Sequence, residues 1–342
     1  PPFTSSRRHT RFEPKSRGLG DVYKRQAQKA AEAEEAGTRR AAGATRFYAT
    51  QAYTGALLAA RQVEALDAAL EAVRGHVAQA EAMRDQGLVT GLDARMAGLK
   101  ASEIEVKRLA ADAQAKNALS SLKALLDLPD ATEVVLLDGL ADLESISSCA
   151  GEVTEGSSVC SWEDRGDLQA YMAGAEAASH GVKKAWASQL PAIAAFGAVG
   201  HYGKDAPFGS GSGDWTVGIG LSWTPFNGLA GIGSVRAAKA EEAAVNAEKA
   251  AAFRQAELEV LHARRMLEAA EEGAQVATRA LTEAETALEQ AEARYASGTA
   301  PITELLDVQA AATNANLSHL AARRDLVLAH AALDLAYGVF DR

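Results

Sequence analysis

The sequence predicts a mainly α protein made of two repeats of a long α-helical coiled-coil hairpin, with one pair of β-strands between them. Three observations carry this. First, AEAMRDQG (Ala80–Gly87) aligns with AEARYASG (Ala291–Gly298) at an offset of 211 residues, and the register continues without a gap, Asp93 onto Glu304 and Leu125-Leu126 onto Ala336-Tyr337; a repeat of this kind governs the whole fold. Second, alanine dominates an apolar set that is 48% of the chain but only 6% aromatic. Alanine is the strongest helix former and lets helices approach closely, so the pattern favours thin layers of long helices over a thick core. Third, two short stretches between the copies read as strands, and the second of them alternates with period two.

The 342 residues carry a net charge of -10. That argues against nucleic-acid binding, which needs clustered Lys and Arg to neutralise phosphates. No run of 18 or more apolar residues occurs, so no membrane-spanning helix is expected, and no secretory signal is visible.

Residues 1–26 stand apart. They lack periodicity and hold seven basic residues (Arg7, Arg8, Arg11, Lys15, Arg17, Lys24, Arg25) against Glu13 and Asp21, so the remainder of the chain carries -15. DVYKRQ (Asp21–Gln26) is what GAT GTG TAT AAG AGA CAG would encode, a DNA sequence resembling the mosaic end of a transposase sequencing adapter. Residues 1–26 are therefore expected to be a non-native leader; the other reading is a natural basic tail.

Residues 27–128 form the first expected hairpin. A helix from about Ala27 to Asp85 has Leu66, Leu70, Val73 and Val77 at helical spacing. It breaks at QGLVTGLD and resumes from about Ala94 to Leu126. Residues 129–166 are loop-rich and hold both cysteines, and 167–189 return to helix. Residues 190–226 read as a β-hairpin joined by the flexible GKDAPFGSGSG. Residues 227–338 form the second hairpin, running from about Ser234 to Ala296, breaking at SGTAPITE and resuming to about Tyr337; 339–342 are a tail. Gly87 and Gly298 stand where left-handed caps end helices, and Thr90 or Asp93, and Thr299 or Thr303, stand where the next helices are capped. Helices of about 60 residues span about 90 Å at 1.5 Å per residue, too long for a compact globule.

In the second strand Trp215, Val217, Ile219, Leu221 and Trp223 fall on one face, and Thr216, Gly218, Gly220 and Ser222 on the other. The two tryptophans lie about 26 Å apart along a strand, close to the apolar band of about 25 Å that aromatic girdles flank in a membrane barrel. Two readings stand: a transmembrane strand whose apolar face meets lipid, or a strand packed on a soluble core.

Taken in order, helical hairpin, loop-rich segment, strand pair and helical hairpin resemble the TolC family of outer-membrane efflux proteins. The wording agrees over about residues 40–338. EDRGDLQAYMAGAEAASHGVKKAWASQLPAI (Glu163–Ile193) is similar to the family's Arg-x-Asp-Leu, helix, Leu-Pro pattern. WTVGIGLSWTPFNG resembles its second strand, RDQGLVTGLDARMAG its first hairpin turn and RYASGTAPITELLDVQAAATNAN its second. The resemblance implies a trimeric β-barrel/α-barrel channel, each of three protomers giving four strands to one barrel. This chain carries one strand pair, so the resemblance implies an N-terminally truncated member. It further implies an outer-membrane location with a large periplasmic part. The implied role is that of a passive conduit for small molecules or proteins in a tripartite efflux pump or type I secretion system. Implied partners are outer-membrane lipid, two further copies, a periplasmic adaptor, and an inner-membrane RND or ABC transporter. Two rival readings remain, a periplasmic adaptor and a soluble coiled-coil scaffold; the first has one hairpin among β-rich modules, and the second leaves Trp215–Trp223 unexplained.

Carried over residue by residue, the acidic pore entrance falls on Glu304 and Asp307, one helical turn apart; three copies would make carboxylate rings that favour cations. The other reading is a solvated pair near a helix N-terminus, where acids are favoured anyway. Where the family often has a basic residue after Gly-Thr, this chain has Ala300. Contact with an adaptor falls on the turns, at Arg84, Gly87, Leu88, Gly298, Thr299 and Ile302, although helix capping explains the same residues. Cys149 and Cys160 are either a disulfide, as periplasmic conditions permit, or two incidental thiols. GLAGIGS (Gly228–Ser234) lacks the GxGxxG spacing and a βαβ context, so close packing at the strand-to-helix junction is expected. The seven dispersed histidines form no catalytic or metal set, and no enzyme, cofactor or metal site is expected.

Overall fold

The computed structural model describes residues 19–137, 139, 161–202 and 212–341. Helix α1 spans Leu19–Asp85 and α2 spans Gly91–Leu125. After a 3₁₀ turn at Trp162–Asp164 come α3 (Gly166–Ala187), β1 (Ala192–Tyr202) and β2 (Ser212–Ser222). Then follow α4 (Ala230–Ala296), α5 (Ile302–Ala336) and a closing 3₁₀ turn at Val339–Asp341. All four bounds of the second hairpin lie 211 residues beyond their counterparts in the first, with helices of 67 and 35 residues in each copy. The repeat therefore holds at the level of helix ends. Helix α1 begins at Leu19 rather than near Ala27, because no proline or further glycine interrupts DVYKRQAQKA beyond Gly20. The strands are also shorter than expected, the second ending at Ser222, shortly before Pro225 removes a backbone donor.

The chain divides into two compact units. One comprises the helical start of α1 through Arg39 together with Gly166–Gln255. In it α1 and α3 are tied by polar contacts: Lys29 Nζ lies 2.9 Å from Glu176 Oε2, Arg39 donates to Gln169 Oε1 at 2.8 Å, and the Lys184 ammonium sits 4.5 Å above the Tyr23 ring. The bond from Lys29 holds the Glu176 carboxyl below its ordinary value. Strands β1 and β2 pair antiparallel, Ala192 opposite Ser222 through Tyr202 opposite Ser212. At the junction into α4, Asn227 Oδ1 accepts from Gly231 N at 3.1 Å. A Cβ on Gly231 would lie 2.6 Å from the end of the Gln189 side chain, so the close neighbour at GLAGIGS is a side chain and not the backbone expected there, and the preceding strands are antiparallel.

The other unit comprises Arg40–Arg165 and Ala256–Arg342. Its main cluster joins Leu66, Leu70, Val73 and Ala80 of α1 and Ala94, Ala97 and Ile104 of α2 to Ala291 and Tyr295 of α4 and Ile302, Leu305 and Leu306 of α5. Alanines on three of the four helices let those helices approach closely in this cluster. A second cluster joins Val260, Ala263 and Leu267 to Leu333, Ala336 and Tyr337. The Arg-x-Asp-Leu motif is an anchor here: Arg165 is buried, its Nη1 lies 2.9 Å from Glu259 Oε2, and it donates to the Ala336 carbonyl at 3.3 Å. Cys149 and Cys160 lie outside the described residues.

Candidate functional site

The two hairpin turns end their helices in the same way. Gly87 and Gly298 have φ of +75° and +71°. Gly87 N donates to Arg84 O at 2.8 Å and Leu88 N to Met83 O at 2.9 Å; Gly298 N donates to Tyr295 O at 3.0 Å and Thr299 N to Arg294 O at 2.9 Å. This is the Schellman arrangement, which satisfies the last carbonyls of each long helix and needs a left-handed residue.

The restarts differ. In copy one Thr90 and Asp93 close a capping box, with the Thr90 N–H and hydroxyl donating to Asp93 Oδ2 at 2.8 and 2.9 Å. In copy two Pro301 stands at the cap and has no N–H to offer. The carboxylate of Glu304, counterpart of Asp93, instead reaches back across the turn and pairs with Arg294. Both partners are partly solvated, so the pair adds little stability; what it changes is where charge stands. Glu304 is half-buried and held, whereas Asp307 is exposed.

Beneath the turns lies Tyr295, 2% exposed, packed in the cluster that both copies share. Its hydroxyl has no hydrogen-bond partner among the described residues. Burial, and secondarily the negative charge of Asp93, push the phenol above its ordinary value. Of the residues expected at a partner-facing surface, Leu88 and Thr299 are exposed, and Thr299 also binds the Arg294 carbonyl through its hydroxyl at 3.0 Å. Arg84 pairs with Asp85 at 2.7 Å. Ile302 differs: it is 1% exposed and belongs to the core, in the cluster that also holds Ala291, Tyr295 and Leu305. Sequence reasoning passed over Arg294 and Tyr295. The 211-residue repeat put Met83 and Arg84 opposite them, so it carried no hint of either role.

The second distinctive surface is the strand pair. Trp215, Val217, Ile219, Leu221 and Trp223 are all more than half exposed, up to 80% for Ile219. The register places Ile193, Ala195 and Gly197 beside them on the same face. On the other face Phe196 stands opposite Gly218, its ring so close that a Cβ on Gly218 would lie 2.6 Å from Cζ. Trp223 Nε1 donates to the Gln189 carbonyl at 3.3 Å and ties the end of the hairpin. Among the described residues no helix is long and apolar enough to cross a membrane, and no three His, Cys, Asp or Glu side chains gather as a metal site.

The family described as outer membrane efflux protein matches residues 162–339. No curated protein matches the sequence significantly. Several solved structures share the fold. The outer-membrane channel OprN superposes with a TM-score of 0.77 at 19% identity, over 99% of this chain and 82% of that one. The outer membrane protein VceC of Vibrio cholerae gives 0.76 at 21% identity, over 96% and 78%. CusC, described as forming a transmembrane channel, gives 0.79 at 18% identity, over 96% and 76%.

Proposed function

The chain belongs to the outer membrane efflux protein family, and from that premise we propose that it acts as one of three identical subunits of a passive export conduit. It is an outer-membrane channel subunit with a large periplasmic helical part. The observation that carries the membrane assignment is the uncovered apolar face of β2, bounded by Trp215 and Trp223. An apolar face of this height flanked by aromatics suits the lipid contact of a barrel wall. A soluble scaffold or a periplasmic adaptor leaves that face without an occupant.

In this reading three copies bring their second hairpin turns together at the periplasmic entrance. Asp307 supplies the free carboxylates that favour cations, and Arg294 holds and partly neutralises Glu304. The exposed tip around Gly87-Leu88 and Gly298-Thr299 meets a periplasmic adaptor, Arg84 flanks it, and Ile302 supports it from the core. An inner-membrane RND or ABC transporter supplies the energy. The conduit itself performs no chemistry.

The test is fractionation followed by conductance. The protein should sediment with outer membrane, resist alkaline extraction, and conduct ions in a planar bilayer with cation preference. Recovery in the soluble periplasmic fraction, or an inert bilayer, would overturn the reading.

A further inference from the structure

The apolar face of β2 ends at Trp223, but exposed apolar side chains continue past it onto the helices. Trp186 and Leu190 stand at the end of α3, and Phe226, Leu229 and Ile232 at the start of α4; each is at least half exposed. The two helix ends adjoin, since Trp223 Nε1 meets the Gln189 carbonyl and the Gln189 side chain lies against Gly231. All of these residues belong to one compact unit.

The charge beside this collar is unlike that of the rest of the chain. Across residues 177–240 the described positions carry four cations, Lys183, Lys184, Arg236 and Lys239, and one anion, Asp214. The strand register sets Asp214 opposite Gly200, toward the other end of the hairpin. The helix end therefore holds cations alone, in a protein of net charge -10. On α1 and α2 the cations Arg61, Lys100 and Arg108 each pair with a carboxylate. Lys183, Arg236 and Lys239 are exposed and have no ion-pair partner among the described residues. The helix dipole does not account for the two on α4, because it favours acids near a helix start and the first turn of α4 has none.

Spacing relates the cations to the collar. On α3, Lys183 lies one turn before Trp186, and on α4 Ile232, Arg236 and Lys239 follow at steps of four and three, on one face. At 1.5 Å per residue, Arg236 and Lys239 stand about 6 and about 10 Å past Ile232, and Lys183 about 4–5 Å from Trp186. The headgroup layer of a bilayer is about 5–7 Å deep on each side of its apolar core. Long Lys and Arg side chains reach across such a gap with their stems on apolar surface and their heads in water. A bilayer whose apolar core ends at the collar thus sets its phosphates beside these cations.

We propose that Lys183, Arg236 and Lys239 form a binding surface for anionic glycerophospholipids of the periplasmic leaflet, with Trp186, Phe226 and Ile232 at the edge of the acyl chains. The surface continues the apolar face of β2, and its attraction is local, since the charge of the whole chain has the opposite sign. The inference rests on the outer-membrane reading above and adds the class of lipid that the protein selects.

For the test, the full chain is reconstituted into vesicles of phosphatidylcholine and phosphatidylglycerol in equal amounts and re-extracted in mild detergent, and the retained lipid is quantified by headgroup. Each cation near an anionic surface is worth about fivefold, so retained phosphatidylglycerol should exceed phosphatidylcholine by about fivefold or more at low salt. The excess should collapse in about 1 M salt, where screening acts within about 3 Å. The triple variant Lys183→Gln, Arg236→Gln, Lys239→Gln should retain both lipids equally with unchanged helical circular dichroism. The charge-keeping variant Lys183→Arg, Arg236→Lys, Lys239→Arg should behave as the parent. Equal retention by a parent that floats with the vesicles, or an excess that survives in the glutamine variant, overturns this surface and leaves the outer-membrane reading standing. A parent that does not float with the vesicles overturns both.

Discussion

The left-handed turn at Gly298 sets up a test in which one substitution changes sign with backbone angle alone. Gly298 has φ of +71°, and Gly273 lies inside α4; an added Cβ meets nothing within 4 Å at either position. Packing therefore cancels, and only backbone terms remain. At Gly273 alanine gains about 0.5–1 kcal/mol, since glycine loses more conformational freedom in a helix interior. At Gly298 the left-handed conformation costs an alanine about 1–2 kcal/mol, offset by about 0.4–1 kcal/mol from the less free unfolded chain. The two variants should differ by roughly 1–2 kcal/mol, with Gly273→Ala above the parent and Gly298→Ala below it. Denaturant midpoints of the detergent-solubilised protein, followed by helical circular dichroism, measure this, with an unchanged slope as the check that the same transition is seen. Gly298→Asn should fall between them, since asparagine enters the left-handed region more readily. Equal midpoints for the two alanine variants would refute the Schellman turn, and with it the geometry that brings Arg294 to Glu304.

Other outcomes follow from single surfaces. On the strand pair, Ile219→Lys should cost about 2–4 kcal/mol if it sits near the bilayer midplane and should deplete the protein from outer membrane, whereas Thr216→Lys on the opposite face should fractionate like the parent. Tyr295→Phe removes a buried hydroxyl that lacks a partner, so it should leave stability unchanged or raise it by about 1 kcal/mol. Because the folded phenol titrates above its ordinary value of 10.0, the unfolded chain loses that proton first. Stability should then fall as pH rises above 10 in the parent and not in the Phe variant, which alkaline unfolding curves would show. Asp307→Asn should lower cation preference in bilayer reversal potentials more than Glu304→Gln, since Arg294 already offsets Glu304; equal effects would count against the pairing.

The architecture was legible because its determinants are local or periodic. Gly87 and Gly298 announce turns through the one backbone conformation glycine enters freely. The alternation from Trp215 to Trp223 needs no partner to be read. The Arg-x-Asp-Leu wording pointed to position 165 but not to its work, since Glu259 and the Ala336 carbonyl, which the buried guanidinium meets, lie far along the chain. The start of α1 at Leu19 was missed because charge and irregular wording masked a stretch with no helix breaker.

Pattern and repeat by themselves determined the order of the long helices, the places where they break, the glycine turns and the apolar face of the strand. Each depends on residues within a few positions of one another. Only the tertiary structure decided that Glu304 is paired and that Ile302 and Tyr295 are core. Those properties arise where separate helices meet, and two copies with matching ends diverge there because Pro301 and Arg294 stand where the first copy has Thr90 and Met83.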